Sequence, residues 1–160
     1  MKRVFKLLSL AAFAVILLSQ SSCTDRGAII DEHNMIPDHD WTYLNKYNYT
    51  FKIDDEKSAY NVYMNLRVTS SYKYSNMFVL ITQTAPDKKS KIKRYELKLA
   101  NKAGEWLGTG SGNLYNYQLS FLTNYKFPVK GNYTFTIEQN MRDNPLHEVS
   151  DVGLRVEKVQ

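Results

Sequence analysis

Cys23 is the residue of this 160-residue sequence that is best placed for chemical modification, and it is the only cysteine. It follows three serines and Gln20, which in turn follow an apolar run from Leu7 to Leu18. Basic residues precede that run, and this order is typical of a secretory signal peptide. A cysteine directly behind such a signal indicates a lipoprotein, whose thiol is acylated and whose signal is cut off. We therefore expect a signal peptide over residues 1–22 and acyl chains, palmitate among them, on Cys23.

The departure from the usual lipoprotein signal is Gln20, which stands where an apolar residue is common. A soluble secreted protein with a free thiol is the alternative. The apolar run is shorter than the roughly 20 residues that span a bilayer. Loss of residues 1–22 would remove three basic and no acidic residues, which lowers the formal net charge from +5 to +2. So small a net charge gives weak support for a nucleic-acid partner, and we expect none.

Histidines are the next candidates for chemistry. His33 and His39 lie among acidic residues, and imidazole and carboxylate groups can bind metal ions. Their spacing matches no metal motif, so we interpret them as parts of a solvated linker. His147 stands alone before the last predicted strand. We therefore expect neither a metal nor a cofactor.

Catalytic motifs are also missing from the glycine-rich stretch Gly108–Gly112. A phosphate-binding loop would continue with Lys and Ser or Thr and lead into a helix. Ser111 lacks the glycine two positions earlier that a nucleophile elbow needs. No two carboxylates are paired by spacing for glycoside hydrolysis. We expect a turn here, no catalytic residues and no enzyme activity.

The elements that would carry these residues fall into two parts. The polar, acidic segment of residues 23–40 has no regular apolar spacing, and we expect a lipid-anchored tether. From residue 41 to residue 160, apolar residues recur at every second position in short stretches, which predicts β-strands. The strands are predicted at residues 47–53, 60–68, 77–82, 94–99, 115–121, 133–137 and 152–156, with 77–82 as a central strand. We predict an all-β domain, an antiparallel sandwich of jelly-roll or Greek-key type.

Two surface features allow alternative interpretations. The basic run of residues 88–94 is expected to be a solvated hairpin loop, with contact to an anionic surface as the alternative. Trp41, Trp106 and the tyrosines could form a sugar-stacking face or could pack in the core. Most tyrosines share the apolar phase of their strands, which favours the core.

Short motifs occur in a fixed order after Cys23. They are Trp41 before Tyr47–Phe51, then Tyr60–Arg67, Tyr72–Met77, Gly104–Gly108, Gly131–Phe135, Glu138–Arg142 and Asp151–Leu154. In this order they resemble the GldH family of gliding-motility lipoproteins of Bacteroidetes. The resemblance implies a part in the gliding machinery, linked to type IX secretion, as an envelope-anchored assembly factor and not as a catalyst.

From the resemblance we expect a non-catalytic scaffold that is anchored to a membrane by lipid and faces the periplasm or the cell surface. Other gliding or secretion proteins of the envelope would be its partners, and the sequence leaves its oligomeric state open. Arg67, Trp106 and Arg142 are our candidate interface residues, because Arg and Trp are enriched in interface hot spots. An envelope lipoprotein whose sandwich binds glycans is the alternative function.

Overall fold

The computed structural model describes residues 27–110 and 112–159, which form strands in two antiparallel sheets. The strands are β1 (Ala28–Met35), β2 (Tyr47–Ile53), β3 (Tyr60–Thr69), β4 (Asn76–Thr84), β5 (Ser90–Lys98), β6 (Leu114–Tyr125), β7 (Gly131–Gln139) and β8 (Val149–Lys158). The first sheet has the order β1-β8-β3-β6 and the second the order β2-β7-β4-β5. The predicted all-β sandwich is confirmed, and β4 is a central strand as predicted.

The core lies between the two sheets because alternate residues of each strand point inward. In β3 these are Tyr60, Val62, Met64, Leu66 and Val68, and none is more than 2% exposed. Aromatic rings from β2, β7 and the segment before β7 pack at one end of the core, with centroids 4.6–6.4 Å apart. These rings bury much apolar area, which stabilises a domain without disulfides.

One buried hydrogen bond joins the two sheets across the core. The Tyr49 hydroxyl, on β2, donates to the Val152 carbonyl, on β8, at 2.8 Å. Burial raises the pKa of this tyrosine well above its ordinary value. The hydroxyl therefore remains protonated and remains a donor.

The prediction of a tether over residues 23–40 is wrong from Ala28 onward. Strand β1 pairs with β8 from Ala28 opposite Glu157 to Met35 opposite Asp151. Among the residues of β1 only Ile30 is buried, because β1 lies at the sheet edge. A strand with one buried side chain has no apolar alternation, which is the signal that predicts strands. The domain therefore begins about a dozen residues earlier than the sequence pattern indicates.

The basic run of residues 88–94 is only partly a loop, contrary to prediction. The hairpin turn is closed by a hydrogen bond from Ala85 N to Lys89 O at 2.9 Å, and β5 begins at Ser90. Residues 90–94 are exposed on this edge strand and carry mostly charged side chains. In the described ranges, no helix has the length and apolar character needed to cross a bilayer.

Candidate functional site

The outer face of the first sheet carries polar side chains from all four of its strands. They lie at the positions that alternate with the buried residues. Read from β1 to β6, the paired rows are Asp31–Arg155–Tyr63–Ser120, His33–Gly153–Asn65–Gln118 and Met35–Asp151–Arg67–Asn116. We call Asp31, His33, Asn65, Arg67, Gln118, Asp151 and Arg155 the polar network.

Asp151 is the most deeply buried member of the polar network. Its side chain is 1% exposed, and its Oδ2 accepts a hydrogen bond from Arg67 Nε at 2.5 Å. Its Oδ1 is buried without a hydrogen-bond partner among the described residues, and His33 Nδ1 lies 3.6 Å away. A buried carboxylate is strongly disfavoured unless a cation compensates it, and Arg67 supplies that charge.

Asn65, in the middle row, links β1 to β6 through hydrogen bonds of its side chain. Its amide Nδ2 donates to Asp31 Oδ1 at 3.0 Å, and its Oδ1 accepts from Gln118 Nε2 at 3.3 Å. Asp31 Oδ2 in turn accepts from Arg155 Nη1 at 2.8 Å. Since Asn65 is 5% exposed, these bonds satisfy an amide that burial would otherwise penalise.

Gly153 makes room for the imidazole in this row. A Cβ at Gly153 would lie 2.9 Å from His33 Nδ1 and 2.5 Å from the Glu32 carbonyl oxygen. The bare backbone lets His33 lie across β8, where its Nε2 is 3.3 Å from Asn65 Nδ2. Glycine at this position therefore allows β1 and its histidine to approach β8 closely.

Tyr63 and Glu157 extend the polar face toward the end of β8. The Tyr63 hydroxyl donates to Glu157 Oε1 at 2.9 Å. This bond, with the bonds from Arg155, holds the pKa of the Glu157 carboxyl below its ordinary range. The same bond raises the pKa of the Tyr63 hydroxyl.

Two open grooves flank β6. The outer groove, of about 480 Å³, is bordered by five members of the polar network together with Thr109 and Asn116. The five are Asp31, His33, Asn65, Arg67 and Gln118. The inner groove, of about 520 Å³, is bordered by Lys98, Leu107 and Leu119 as well as Thr109 and Asn116. The outer groove offers a cation, a carboxylate and amides, so it suits a ligand or partner with hydrogen-bonding groups. Within the described residues, no group of three or more His, Cys, Asp and Glu could hold a metal ion.

The model of the GldH lipoprotein family matches residues 28–156. The chain belongs to this family. A protein of Christiangramia forsetii, named gliding motility lipoprotein GldH homolog, is 33% identical over 153 residues that cover 91% of each chain. The gliding motility lipoprotein GldH of Flavobacterium johnsoniae is 28% identical over 152 residues, which cover 91% of this chain and 92% of that protein.

Similarity to solved structures is lower. A carbohydrate-binding module specific for non-crystalline cellulose has a TM-score of 0.46 and 10% identity, covering 81% of this chain and 73% of that chain. The VP2 subviral particle of infectious bursal disease virus has a TM-score of 0.34 and 13% identity. The match covers 86% of this chain and 34% of that chain. Similarities at this level do not bear on what this GldH-family chain binds.

The three candidate interface residues lie in different surroundings. Arg67 borders the outer groove, with 42% of its side chain exposed. Trp106 is partly buried, and its ring packs against those of Tyr72 and Tyr115 at centroid distances of 6.5 and 5.5 Å. Arg142 is exposed in the segment after β7, and its carbonyl accepts from the Tyr43 hydroxyl at 3.3 Å. Arg67 is thus the candidate that the fold places beside the polar network.

Other predicted residues also have defined positions. Trp41 is buried, and its Nε1 donates to the Asn45 carbonyl at 2.8 Å, so its ring does not form a sugar-stacking surface. His33 belongs to β1 and not to a linker, and His147 has a partner, since its Nδ1 lies 2.6 Å from Asp40 Oδ1. Cys23 and Ser111 lie outside the described residues.

Sequence reasoning missed most of the polar network. Asn65 shares the polar phase of β3 with Arg67, and that alternation could have identified it. Asp151 is 84 positions from Arg67, and their contact depends on the pairing of β3 with β8. No spacing along the chain predicts such a contact, because the local periodicity of apolar residues does not determine the order of strands in a sheet.

Proposed function

We propose that the chain is a lipid-anchored protein of the cell envelope that serves the gliding machinery as a non-catalytic scaffold linked to type IX secretion. The family match over residues 28–156 carries this proposal, since both named relatives are gliding motility lipoproteins. The scaffold role and the secretion link extend that match by the resemblance of the ordered motifs.

Acyl chains on Cys23 would hold the domain close to its membrane. The Gly27 carbonyl accepts from the Lys158 backbone N–H at 3.1 Å, so the described domain includes a residue four positions after the cysteine. Four extended residues span at most about 14 Å. Two or more acyl chains give stable anchoring, whereas one is marginal. Confinement to one membrane raises the effective concentration of partners on that membrane.

The outer face of the first sheet is the surface that we assign to partner binding. Asp151 and Asn65 fix the positions of Arg67 and Gln118 before any partner arrives. Side chains that are already ordered lose little conformational entropy on binding, so their contacts contribute more to affinity. Arginine is also among the residues that most often dominate interface energies.

The glycan-binding alternative has less support from the side chains on which it was based. Trp41 is buried, and Trp106 packs against two tyrosine rings. Stacking on a sugar needs an exposed ring face.

Deletion of the gene in the source bacterium, followed by complementation, tests the proposal. We expect the deletion to abolish spreading on agar and secretion of type IX cargo, and the wild-type gene to restore both. The Cys23→Ala protein should be absent from the membrane fraction and should not restore spreading. The control Ser22→Ala, which changes the neighbouring residue, should behave as wild type. Unchanged spreading and secretion in a gliding deletion strain would contradict the gliding role. Full function of Cys23→Ala would contradict the anchor.

A further inference from the structure

Strand β6 has an open edge in the described part of the chain. On one side it pairs with β3 along its length. On the other side, the described residues supply an isolated bridge between Thr109 and Asn116, with N–H to O distances of 2.7 and 2.9 Å in the two directions. The bridge shows that the β6 backbone at Asn116 forms β-type hydrogen bonds with a second segment. Past it, the backbone near Gln118 continues the edge without a partner among the described residues.

The composition of β6 differs from that of the edge strand beside it. Natural edge strands usually carry charges or Pro, which prevent pairing with other chains. β5 carries Lys91, Lys93, Arg94 and Lys98, whereas the 12 residues of β6 include no charged residue and no Pro. The two edges are neighbours, since the ring centroids of Tyr95 and Phe121 are 5.5 Å apart. A shift in register opposite Val62 disturbs the far end of β6, so the open stretch centres on Gln118.

The two grooves lie on opposite sides of this open stretch. Gln118 borders both of them, and so does Thr109 at the end of the existing bridge. Side chains of a strand alternate between the two faces of a sheet. A strand added beside Gln118 would therefore place successive side chains in the outer and the inner groove, which is how strand addition obtains specificity.

Charges and apolar groups around the grooves define the segment that fits. Leu107, which is 55% exposed, borders the inner groove together with Leu119 and Lys98. In the outer groove, Arg67 Nε donates a hydrogen bond to Asp151 Oδ2. The terminal amino groups of Arg67 make no hydrogen bond with described residues. Lys98 borders the inner groove and makes no ion pair within the described chain, so a basic group without an acidic partner adds positive charge near Gln118.

We propose that the open edge of β6 binds an extended acidic segment of a partner protein by strand addition. Apolar residues of that segment would pack on Leu107 and Leu119 in the inner groove, and acidic residues at the alternate positions would face Arg67 in the outer groove. This inference rests on the proposed scaffold role and names the kind of partner that the scaffold holds.

A binding assay with the purified lipidated protein in detergent tests the inference. The probe is a labelled peptide of about six residues, a usual strand length, in which Glu and Val alternate. We expect saturable binding by fluorescence anisotropy and slower amide hydrogen exchange at Asn116–Leu122. A peptide in which Lys replaces Glu should bind at least about tenfold more weakly, because like charges face each other across the contact.

Two matched variants keep the test specific. Gln118→Glu should weaken binding of the Glu–Val peptide by about tenfold, and Thr50→Glu, the same charge change on edge strand β2, should leave it unchanged. Gln118→Pro, which removes a backbone donor from the open edge, should also weaken it.

Several results would overturn the inference. They are absence of binding of the Glu–Val peptide, equally tight binding of the Lys peptide, and slower amide hydrogen exchange on β1 or β2 in place of β6. Concentration-dependent protection of β6 without peptide would identify a second copy of the chain as the occupant. The assay uses purified protein and needs no gliding cell. A negative binding result therefore contradicts the strand-addition inference and leaves the gliding role untouched, and the reverse also holds.

Discussion

The outer faces of the two sheets are built differently. On the first sheet, a buried carboxylate, an arginine and a buried amide join four strands, and Arg155 bonds Asp31 from 124 positions away. On the second sheet, short side chains bond across neighbouring strands, as Thr50 does with Thr134 at 2.8 Å between hydroxyl oxygens. The first face is therefore held in one arrangement, whereas the second is a solvated surface with exposed and individually weak bonds.

This difference indicates what the polar network is for. A buried ion pair adds little net stability compared with apolar residues of similar volume. Asp151 and Arg67 are thus poorly explained by stability alone. A fixed constellation of charges beside a groove is well explained by recognition of a partner, because it presents its groups in a constant geometry.

The largest effect on this comparison should come from Arg67→Met. The substitution keeps the apolar stem and leaves Asp151 buried without its arginine partner, and we expect the free energy of unfolding to fall by about 3 kcal/mol. Urea denaturation measures it. Adding Asp151→Leu should recover most of the loss, because the double variant replaces the pair by apolar groups. A double variant no more stable than Arg67→Met would show that charge compensation is not the cause.

Gly153→Ala should have the next largest effect. Its Cβ would lie 2.5 Å from the Glu32 carbonyl oxygen, so β1 must shift away from β8. We expect a loss of about 2 kcal/mol, as is usual when atoms are forced into a packed site. Hydrogen exchange should become faster in β1 and remain unchanged in β2. Equal hydrogen exchange in β1 of the wild type and of Gly153→Ala would mean that the close approach of β1 to β8 is not required.

The Tyr63→Phe substitution tests the pH dependence of the first face. Because the pKa of the Glu157 carboxyl is lowered in the folded protein, its contribution to stability is present above the ordinary value of 4.5. It is lost as the pH falls through the lowered value. We expect the variant to be less stable by about 1 kcal/mol or less at neutral pH, since the site is partly exposed. The difference between the proteins should shrink in acid, and a constant difference down to strongly acidic pH would contradict the assignment.

Thr134→Val on the second sheet should have the smallest effect. It removes the bond to Thr50, whose groups are exposed to water, and we expect a change within about 0.5 kcal/mol in either direction. Urea denaturation measured beside Arg67→Met provides the comparison. A loss as large as that of Arg67→Met would remove the distinction between the two faces.

The fold was predictable where strands are half-buried and much less so at the edges. In Tyr60–Thr69, apolar and polar residues alternate because one side of the strand faces the core and the other carries members of the polar network. β1 gave no such signal, since Ile30 alone among its side chains is buried. Arg67 was chosen from its residue type, but its partner Asp151 depends on sheet order, which requires the three-dimensional pairing of β3 with β8.

The most direct test compares the two faces in living cells. In the deletion strain, the exposed positions Gln118 and Thr50 receive the same change to Glu, and spreading on agar is measured after equal amounts of protein are verified in the membrane fraction. We predict that Thr50→Glu restores spreading and that Gln118→Glu does not. Equal restoration of spreading by both variants would contradict the proposal that the first sheet binds the partner.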